Sequence, residues 1–178
     1  MKYIISIFIF ILSSLSAFSQ KTGWECNYQD WSDSREYFCL HRTQGVSDAF
    51  FYVKNDKLTV YKYYNGKKNF DLAVNNGVLV NDKISSETVR VKYVLVGLFD
   101  DDFEYEMVKL NYYGDDDQCI YGPGFSSAFS MQIDPELLKD AKAITFEYFD
   151  KITQKDTKIT LSLMGFTKAY NKAIRYSY

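Results

Sequence analysis

The sequence has few of the residues on which most enzyme active sites depend. It has one histidine, three cysteines and two prolines among 178 residues. His41 is therefore the only histidine that can serve as base to a serine or cysteine nucleophile. Ser126 lies in the segment GFSS, which lacks the G-x-S-x-G motif of a nucleophile elbow. Cys39 and His41 share one face of a predicted strand, but a disulfide at Cys39 would remove the thiolate. We predict no catalytic residue, no metal site and no cofactor, and interpret the protein as non-enzymatic.

Basic residues are not in excess. The chain has 21 lysines and arginines against 23 aspartates and glutamates, which gives a net charge of −2 at pH 7. Binding to nucleic acid needs a basic patch that neutralises phosphates. We therefore predict no nucleic-acid partner.

The one long apolar run lies at the N-terminus. Lys2 is followed by apolar residues 3–12, and Ala17-Phe18-Ser19 is a small-x-small cleavage site. The run is too short for a comfortable membrane span. We expect residues 1–19 to be a signal peptide and residues 20–178 to form a single β-sandwich-like domain. The mature protein is then periplasmic or secreted, with no transmembrane anchor after cleavage.

The three cysteines are Cys26, Cys39 and Cys119. In an oxidising compartment a disulfide is expected, although the sequence does not decide which two of the three pair. We favour Cys26 with Cys39, because strand-like segments flank both and the bridge would join the first two strands. Cys119 is then either buried and inert or exposed and available to a partner.

Aromatic residues are abundant, with 16 tyrosines and 14 phenylalanines, and such residues favour strands. We predict an all-β, mainly antiparallel fold, a β-sandwich or flattened barrel with two short helices, one of them C-terminal. A turn at Asn75-Asn76-Gly77 predicts a hairpin between two of the strands. The predicted strands are 23–28, 37–42, 50–54, 58–64, 70–74, 78–80, 88–99, 103–113, 119–121, 128–133, 144–149 and 158–164.

The two helices follow from capping signals and from periodicity. Asp134-Pro135 begins a short helix, since Asp caps a helix and Pro fits its first position. Near the C-terminus, apolar residues recur at the spacing of one helix face: Phe166, Ala169, Tyr170, Ala173 and Ile174. We expect Phe166 and Tyr170 to cover the last hairpin, formed by strands 144–149 and 158–164.

Clustered carboxylates and tyrosines are the remaining candidates for binding. Neither Asp100-Asp101-Asp102 with Glu104 nor residues Asp115–Asp117 match an EF-hand loop, so we interpret both as solvated loops, with Ca²⁺ binding as the alternative. We expect most of six tyrosines in the core and the others in sugar or protein recognition. The six are Tyr61, Tyr63, Tyr64, Tyr112, Tyr113 and Tyr121.

Both ends of the chain carry short family-like segments. Trp24-x-Cys26 and then Cys39-Leu40 stand near the start, and segments 144–148, 159–163 and GFTKAY (165–170) stand near the end. In this order they resemble the opening, the closing hairpin and the "GF-x-x-A" helix of the invasion-associated locus B family of exported bacterial proteins. That family usually has a second cysteine pair, whereas only Cys119 remains here. The resemblance implies a β-sandwich of the envelope or periplasm, linked to host interaction, with no established catalytic residues.

These observations give three functional hypotheses. We expect an exported, non-enzymatic envelope or secreted protein that binds a protein or glycan partner at the envelope or host surface. The first alternative is a secreted hydrolase that acts on glycan or peptide through carboxylates near residues 100–106. The second is a purely structural envelope component.

Overall fold

A computed structural model of the chain describes residues 22–32, 34–64, 72–73, 75–77, 86–98, 103–113 and 126–177. The described residues form nine strands and two main helices. The strands are β1 (Gly23–Trp31), β2 (Ser34–Thr43), β3 (Val46–Tyr52), β4 (Lys57–Tyr63), β5 (Ser86–Val96), β6 (Phe103–Tyr113), β7 (Ser126–Gln132), β8 (Ala143–Asp150) and β9 (Lys155–Ser162). The helices are α1 (Pro135–Asp140) and α2 (Phe166–Ser177).

All nine strands belong to one antiparallel sheet, in the order β1-β2-β3-β4-β7-β6-β5-β8-β9. The sheet curls into a half-barrel. The predicted all-β class and the two helices, one of them C-terminal, are confirmed. A β-sandwich is not confirmed, because the described strands form one continuous sheet. The strict alternation of apolar and polar residues is common to both arrangements, so it does not distinguish them.

The hydrophobic core covers the inner face of this sheet. Alternate residues of each strand point inward, and those at the centre are almost completely buried. Examples from five strands are Phe51, Val91, Leu110, Phe129 and Phe146. A second, smaller cluster lies on the outer face of β2 and β3, where Phe38, Leu40 and Phe50 pack together with Tyr52 and Tyr61.

The curl brings the two edge strands together at one point. The indole Nε1 of Trp24 in β1 donates a hydrogen bond to the carbonyl of Ser162, the last residue of β9, at 2.8 Å. Gly165 follows with φ of 86°, a left-handed conformation that glycine adopts at no steric cost. The chain therefore turns at Gly165 and α2 begins at the next residue.

Helix α2 packs mainly on β1 and β2. Phe166 stands edge-on to Trp24 and to Phe51, with ring centroids 5.1 and 5.3 Å apart. The predicted helix and its apolar face are confirmed, since Phe166, Ala169 and Ala173 are buried. The predicted docking surface, the hairpin of β8 and β9, is wrong. The turn at Gly165 directs the helix back across the opposite edge of the curled sheet.

Helix α1 begins as its sequence predicts. Asp134 accepts a hydrogen bond from the backbone amide of Glu136 at 2.9 Å, and Pro135 occupies the first turn. No helix within the described residues is long and apolar enough to cross a membrane. The expected signal peptide, residues 1–19, lies outside those residues.

The predicted hairpin around Asn75-Asn76-Gly77 is wrong where the structure describes it. Leu72 and Ala73 lie in a helical turn, and the Asn76 amide donates to the Leu72 carbonyl at 2.9 Å. A short apolar run does not distinguish strand from helix by periodicity alone, and Leu and Ala are good helix formers. The other residues of strands 70–74 and 78–80, and the predicted strand 119–121, lie outside the described residues.

Candidate functional site

The two N-terminal cysteines lie directly opposite each other. Cys26 in β1 and Cys39 in β2 are partners in the strand register. Both are free thiols in this structure. Burial raises the pKa of both thiols, and Cys26 raises that of Cys39 further. Directly paired residues on one face have Cβ atoms about 4.5–5.5 Å apart, whereas the Cβ atoms of a disulfide are about 3.5–4.5 Å apart, so a bridge here requires the two strands to approach at this pair. Cys119 lies outside the described residues.

His41 is buried beside a carboxylate. Its Nδ1 lies 2.5 Å from Oδ1 of Asp48, and the Thr43 hydroxyl donates to Oδ2 of Asp48 at 2.6 Å. The register of β2 and β3 shifts between His41 and Arg42, an irregularity of the kind that re-aims side chains. Nε2 of His41 is buried and has no hydrogen-bond partner in the part of the chain described. His41 and Cys39 therefore share a face, as predicted, but form no hydrogen-bonded nucleophile–base pair.

The other polar candidates from the sequence do not lie together, or they lie outside the described residues. Ser126 is buried at the first residue of β7. Residues Asp100–Asp102 and Asp115–Asp117 lie outside the described ranges, as does Tyr121. Among the residues that are described, no three carboxylate, thiol or imidazole groups converge to hold a metal ion. Tyr64 and Tyr112 are buried as expected, and Tyr61 and Tyr63 are half-buried.

Two carboxylates remain from the predicted acidic region. Glu104 and Glu106 are separated by one residue on β6, so they share its inner face. The Tyr93 hydroxyl donates to Glu104, and partial burial together with the nearby Glu104 raises the pKa of Glu106. A carboxyl group with a raised pKa beside a second carboxylate is suited to acid–base chemistry.

A buried ion pair lies on the inner face where β4 and β8 end. The Asp150 side chain is completely buried, and the ammonium of Lys62 donates to its Oδ2 at 2.5 Å. Thr153 and Tyr64 also donate to Oδ2, at 2.9 and 3.2 Å. Oδ1 accepts the Ile152 amide at 2.8 Å. With its oxygens occupied in this way, Asp150 ties the β8–β9 turn to β4, and the pair is a structural element.

The outer face of β6, β5, β8 and β9 presents an accessible row of apolar side chains. Phe103, Tyr105 and Met107 point outward from β6 and are 50%, 49% and 63% exposed. Their neighbours on β5 are cationic, since Lys92 pairs with Tyr105 and Arg90 with Met107 in the register. The Arg90 guanidinium lies over the Tyr105 ring at 3.7 Å, and the Lys92 ammonium lies 4.4 Å from the Phe103 ring centroid.

A groove runs along this face, which we call the outer groove. It has a volume of about 420 Å³, and its side-chain lining includes Arg90, Lys92, Tyr105, Glu147, Phe149 and Lys158. Tyr105 and Phe149, each about half exposed, stand on β6 and β8, the two neighbours of β5. The groove therefore has an aromatic ring on each side and charged groups between them.

Glu147 organises the charges of the outer groove. Its carboxylate lies 3.2 Å from Lys158 and 3.6 Å from Lys92. The hydrogen bond from Lys158 and the charge of Lys92 hold the pKa of Glu147 below its usual value. No carboxylate of the described residues forms an ion pair with Arg90. The lining of the groove thus has three cations and two carboxylates, Glu147 and Asp156. Two of the cations share Glu147, and the third is stacked on a ring.

A second groove lies near the C-terminal end of α2, beside Arg35, Tyr37 and Lys54. Arg35 already forms a hydrogen bond with Asp30 at 2.6 Å and lies over the Tyr28 ring at 4.2 Å. Its charge is therefore neutralised within the chain. Of these two grooves, the outer groove is the stronger candidate for a ligand.

Comparison of the chain with protein-family models, with curated proteins and with solved structures finds no match. The geometry of the site is therefore the basis for assigning a function.

The outer groove cannot be recognised from the sequence alone. Alternation places Arg90 and Lys92 on the outer face of their strand, but it does not reveal which strands flank them. In the sequence Tyr105 resembles a core residue, because Phe103 and Met107, two positions before and after it, are apolar too. The signal in the sequence is that β6 has apolar residues on both faces, with Val108 and Leu110 on the inner one.

Proposed function

We propose that this protein is an exported, non-enzymatic protein that binds a macromolecular partner through the outer groove. One observation carries the proposal. Large apolar side chains stand half exposed on the middle of a sheet, next to cations that stack on their rings. A row of exposed apolar residues on a soluble domain marks an interaction site more often than a scatter of single residues does.

The stacking contacts favour binding for an energetic reason. Arg90 and Lys92 are held against aromatic rings, so less side-chain entropy is lost when a ligand engages them. Tyr105 adds a hydroxyl that can form hydrogen bonds at the rim of the groove. The site is therefore partly ordered before its partner arrives.

The sequence supports the export part of the proposal. Residues 1–19 have the pattern of a signal peptide, and the two ends of the chain resemble the invasion-associated locus B family, which implies host interaction. We propose a periplasmic or secreted location and a remote relationship to that family. We also propose a flattened barrel as the finer description of the fold, on the contact between Trp24 and Ser162 that joins its edge strands.

The test is capture of partners from envelope and host-surface extracts, followed by identification. Replacing both Tyr105 and Phe149 by alanine should abolish capture of the specific partner while leaving the melting temperature within a few degrees, since both rings are half exposed. Tyr28→Ala is the matched control, because Tyr28 is 48% exposed and carries a stacked arginine outside the outer groove. Equal capture by the wild type and the double variant would contradict the proposal.

We further propose that Cys26 and Cys39 form a disulfide in the exported protein. Their position as direct register partners supports this pairing. Cys39→Ser should then lower the free energy of unfolding by roughly 2–5 kcal/mol under oxidising conditions. The loss should be smaller when the wild type is reduced. Peptide mapping without reduction should recover a Cys26–Cys39 linkage, and a linkage of Cys119 to either one would refute the pairing.

A secreted hydrolase is the second candidate function. The raised pKa of Glu106, beside Glu104 and Tyr93, is the observation that favours it. Glycosidases use two carboxyl groups of this kind, one as acid and one as base or nucleophile. Release of reducing ends from a glycan would distinguish this candidate from binding alone.

A further inference from the structure

We infer that the ligand of the outer groove is an anionic glycan, a polysaccharide whose sugar rings carry carboxylate or sulfate groups. The inference rests on the proposed function of the same groove and adds the chemical class of the partner. It is carried by the spacing of the aromatic walls, by the arrangement of charge between them and by the position of the groove within the sheet.

The two aromatic walls stand on β6 and β8, the strands that flank β5 on its two sides. Strands β6 and β8 both pair with β5, and neighbouring strands lie about 4.8 Å apart, so the two backbones are roughly 10 Å apart. Tyr105 and Phe149 rise from these two strands. The flat, C–H-rich face of a sugar ring packs well against the electron-rich face of an aromatic ring. Arg90 covers one face of the Tyr105 ring, so a chain of sugar rings would pack on Phe149 and on the remaining exposed surface of Tyr105.

The charges between the walls select for an anion. Three cations, Arg90, Lys92 and Lys158, outnumber the two carboxylates of the lining, Glu147 and Asp156. Arg90 has no carboxylate partner within the described ranges. An arginine fork matches carboxylate and sulfate groups, with two parallel hydrogen bonds. Among the described residues, Glu147 is the only carboxylate that pairs with Lys92 and Lys158, in partly exposed pairs that contribute little to stability. A ligand anion can therefore take the place of the Glu147 carboxylate without a large penalty.

The position of the groove disfavours an extended peptide. Strands β5, β6 and β8 are each paired on both sides, so their backbone groups are already engaged. A peptide that binds by adding a strand needs a free sheet edge. Recognition on this face must come from side chains, which suits the ring faces and the anionic groups of a glycan.

The experiment measures binding of the purified protein to four polymers by calorimetry. Two are anionic polysaccharides, one sulfated and one built of uronic acids; the controls are a neutral dextran and poly-glutamate. We expect both anionic polysaccharides to bind, with affinity that falls as salt is raised, because the contacts are exposed ion pairs. Tight binding of poly-glutamate alone, or of dextran as strongly as the anionic polysaccharides, would overturn the inference.

Two variants test the roles of the charges. Arg90→Gln should weaken binding roughly tenfold, which is the size expected for loss of a charge-assisted contact. Glu147→Gln should tighten binding by about threefold or more, because it releases Lys92 and Lys158 from their carboxylate. The matched controls are Arg175→Gln and Glu136→Gln, which make the same charge changes on exposed positions of the two helices. Equal effects of each variant and its control would mean that only net charge matters, and would overturn the inference.

Failure of the inference and failure of the proposed function give different results. If no polysaccharide binds but capture of a partner from extracts still depends on Tyr105 and Phe149, the outer groove is a binding site and the ligand class is wrong. If neither polysaccharide binding nor capture depends on these two residues, both proposals are wrong.

Discussion

Lys62→Met is expected to lower the free energy of unfolding by about 3–5 kcal/mol. The Asp150 carboxylate is completely buried, and the Lys62 ammonium, 2.5 Å away, is its only charged partner among the described residues. Methionine retains most of the apolar volume of lysine but removes the positive charge. The variant therefore leaves a buried carboxylate without its counter-ion, which is much more destabilising than loss of an exposed ion pair. Denaturant melts at pH 7 measure the effect.

Two further variants show whether the loss comes from the ion pair. Lys57→Met changes an exposed lysine on the same strand and should alter stability by no more than about 0.5 kcal/mol. Adding Asp150→Asn to Lys62→Met should restore roughly 0.5–3 kcal/mol, because the neutral amide can keep the acceptor for the Ile152 amide. Similar, small losses for Lys62→Met and Lys57→Met would show that Asp150 is solvated.

The ion pair also predicts how stability depends on pH. Burial raises the pKa of Asp150, but Lys62 and the hydrogen bonds from Ile152 and Thr153 outweigh it, so the pKa lies below its ordinary value of 3.8. A carboxyl group with a lowered pKa in the folded state stabilises the fold above its unfolded pKa. The stabilisation is lost as pH falls through the folded pKa, below about pH 4. Asp150→Asn should remove this part of the acid sensitivity.

Local signals in the sequence correctly predict those elements whose stabilising partners lie nearby in the chain. Asp134-Pro135 marks the start of α1, and Gly165 marks the turn before α2. The predicted strand 103–113 coincides with β6, which forms a hairpin with β5. In each case the stabilising partners lie within the element or in the next one along the chain, so short-range patterns are sufficient.

Contacts between distant parts of the chain could not be predicted in this way. Lys62 and Asp150 are 88 residues apart in the sequence. They meet only because the inner face of β4 faces the end of β8 across the core. In sequence, each resembles an ordinary exposed charge. Tyr105 and Phe149 share a groove because β5 lies between their strands, which alternation within one strand does not reveal. Burial and partner identity are set by the order of the strands.

The docking of α2 depends on the same long-range geometry. Phe166→Ala should lower the free energy of unfolding by about 3–5 kcal/mol, since the ring is completely buried and its removal leaves a cavity. The cavity would lie between Trp24 of β1 and Phe51 of β3, both in edge-on contact with the Phe166 ring. Rigid aromatic neighbours on two sides limit collapse of the site, which keeps the expected loss at the upper end of the range.

Lys168→Ala provides the control for Phe166→Ala, because Lys168 is exposed on the same helix and should change stability by no more than about 0.5 kcal/mol. Trp24→Phe tests the hydrogen bond between the two edge strands separately from the docking of α2. It retains an aromatic ring but removes the indole hydrogen bond to Ser162, so we expect a loss of about 1–2 kcal/mol. If Phe166→Ala and Lys168→Ala produced the same small loss in denaturant melts, α2 would not be packed on β1 and β2. The contact between the two edge strands at Trp24 would then have to form without support from the helix.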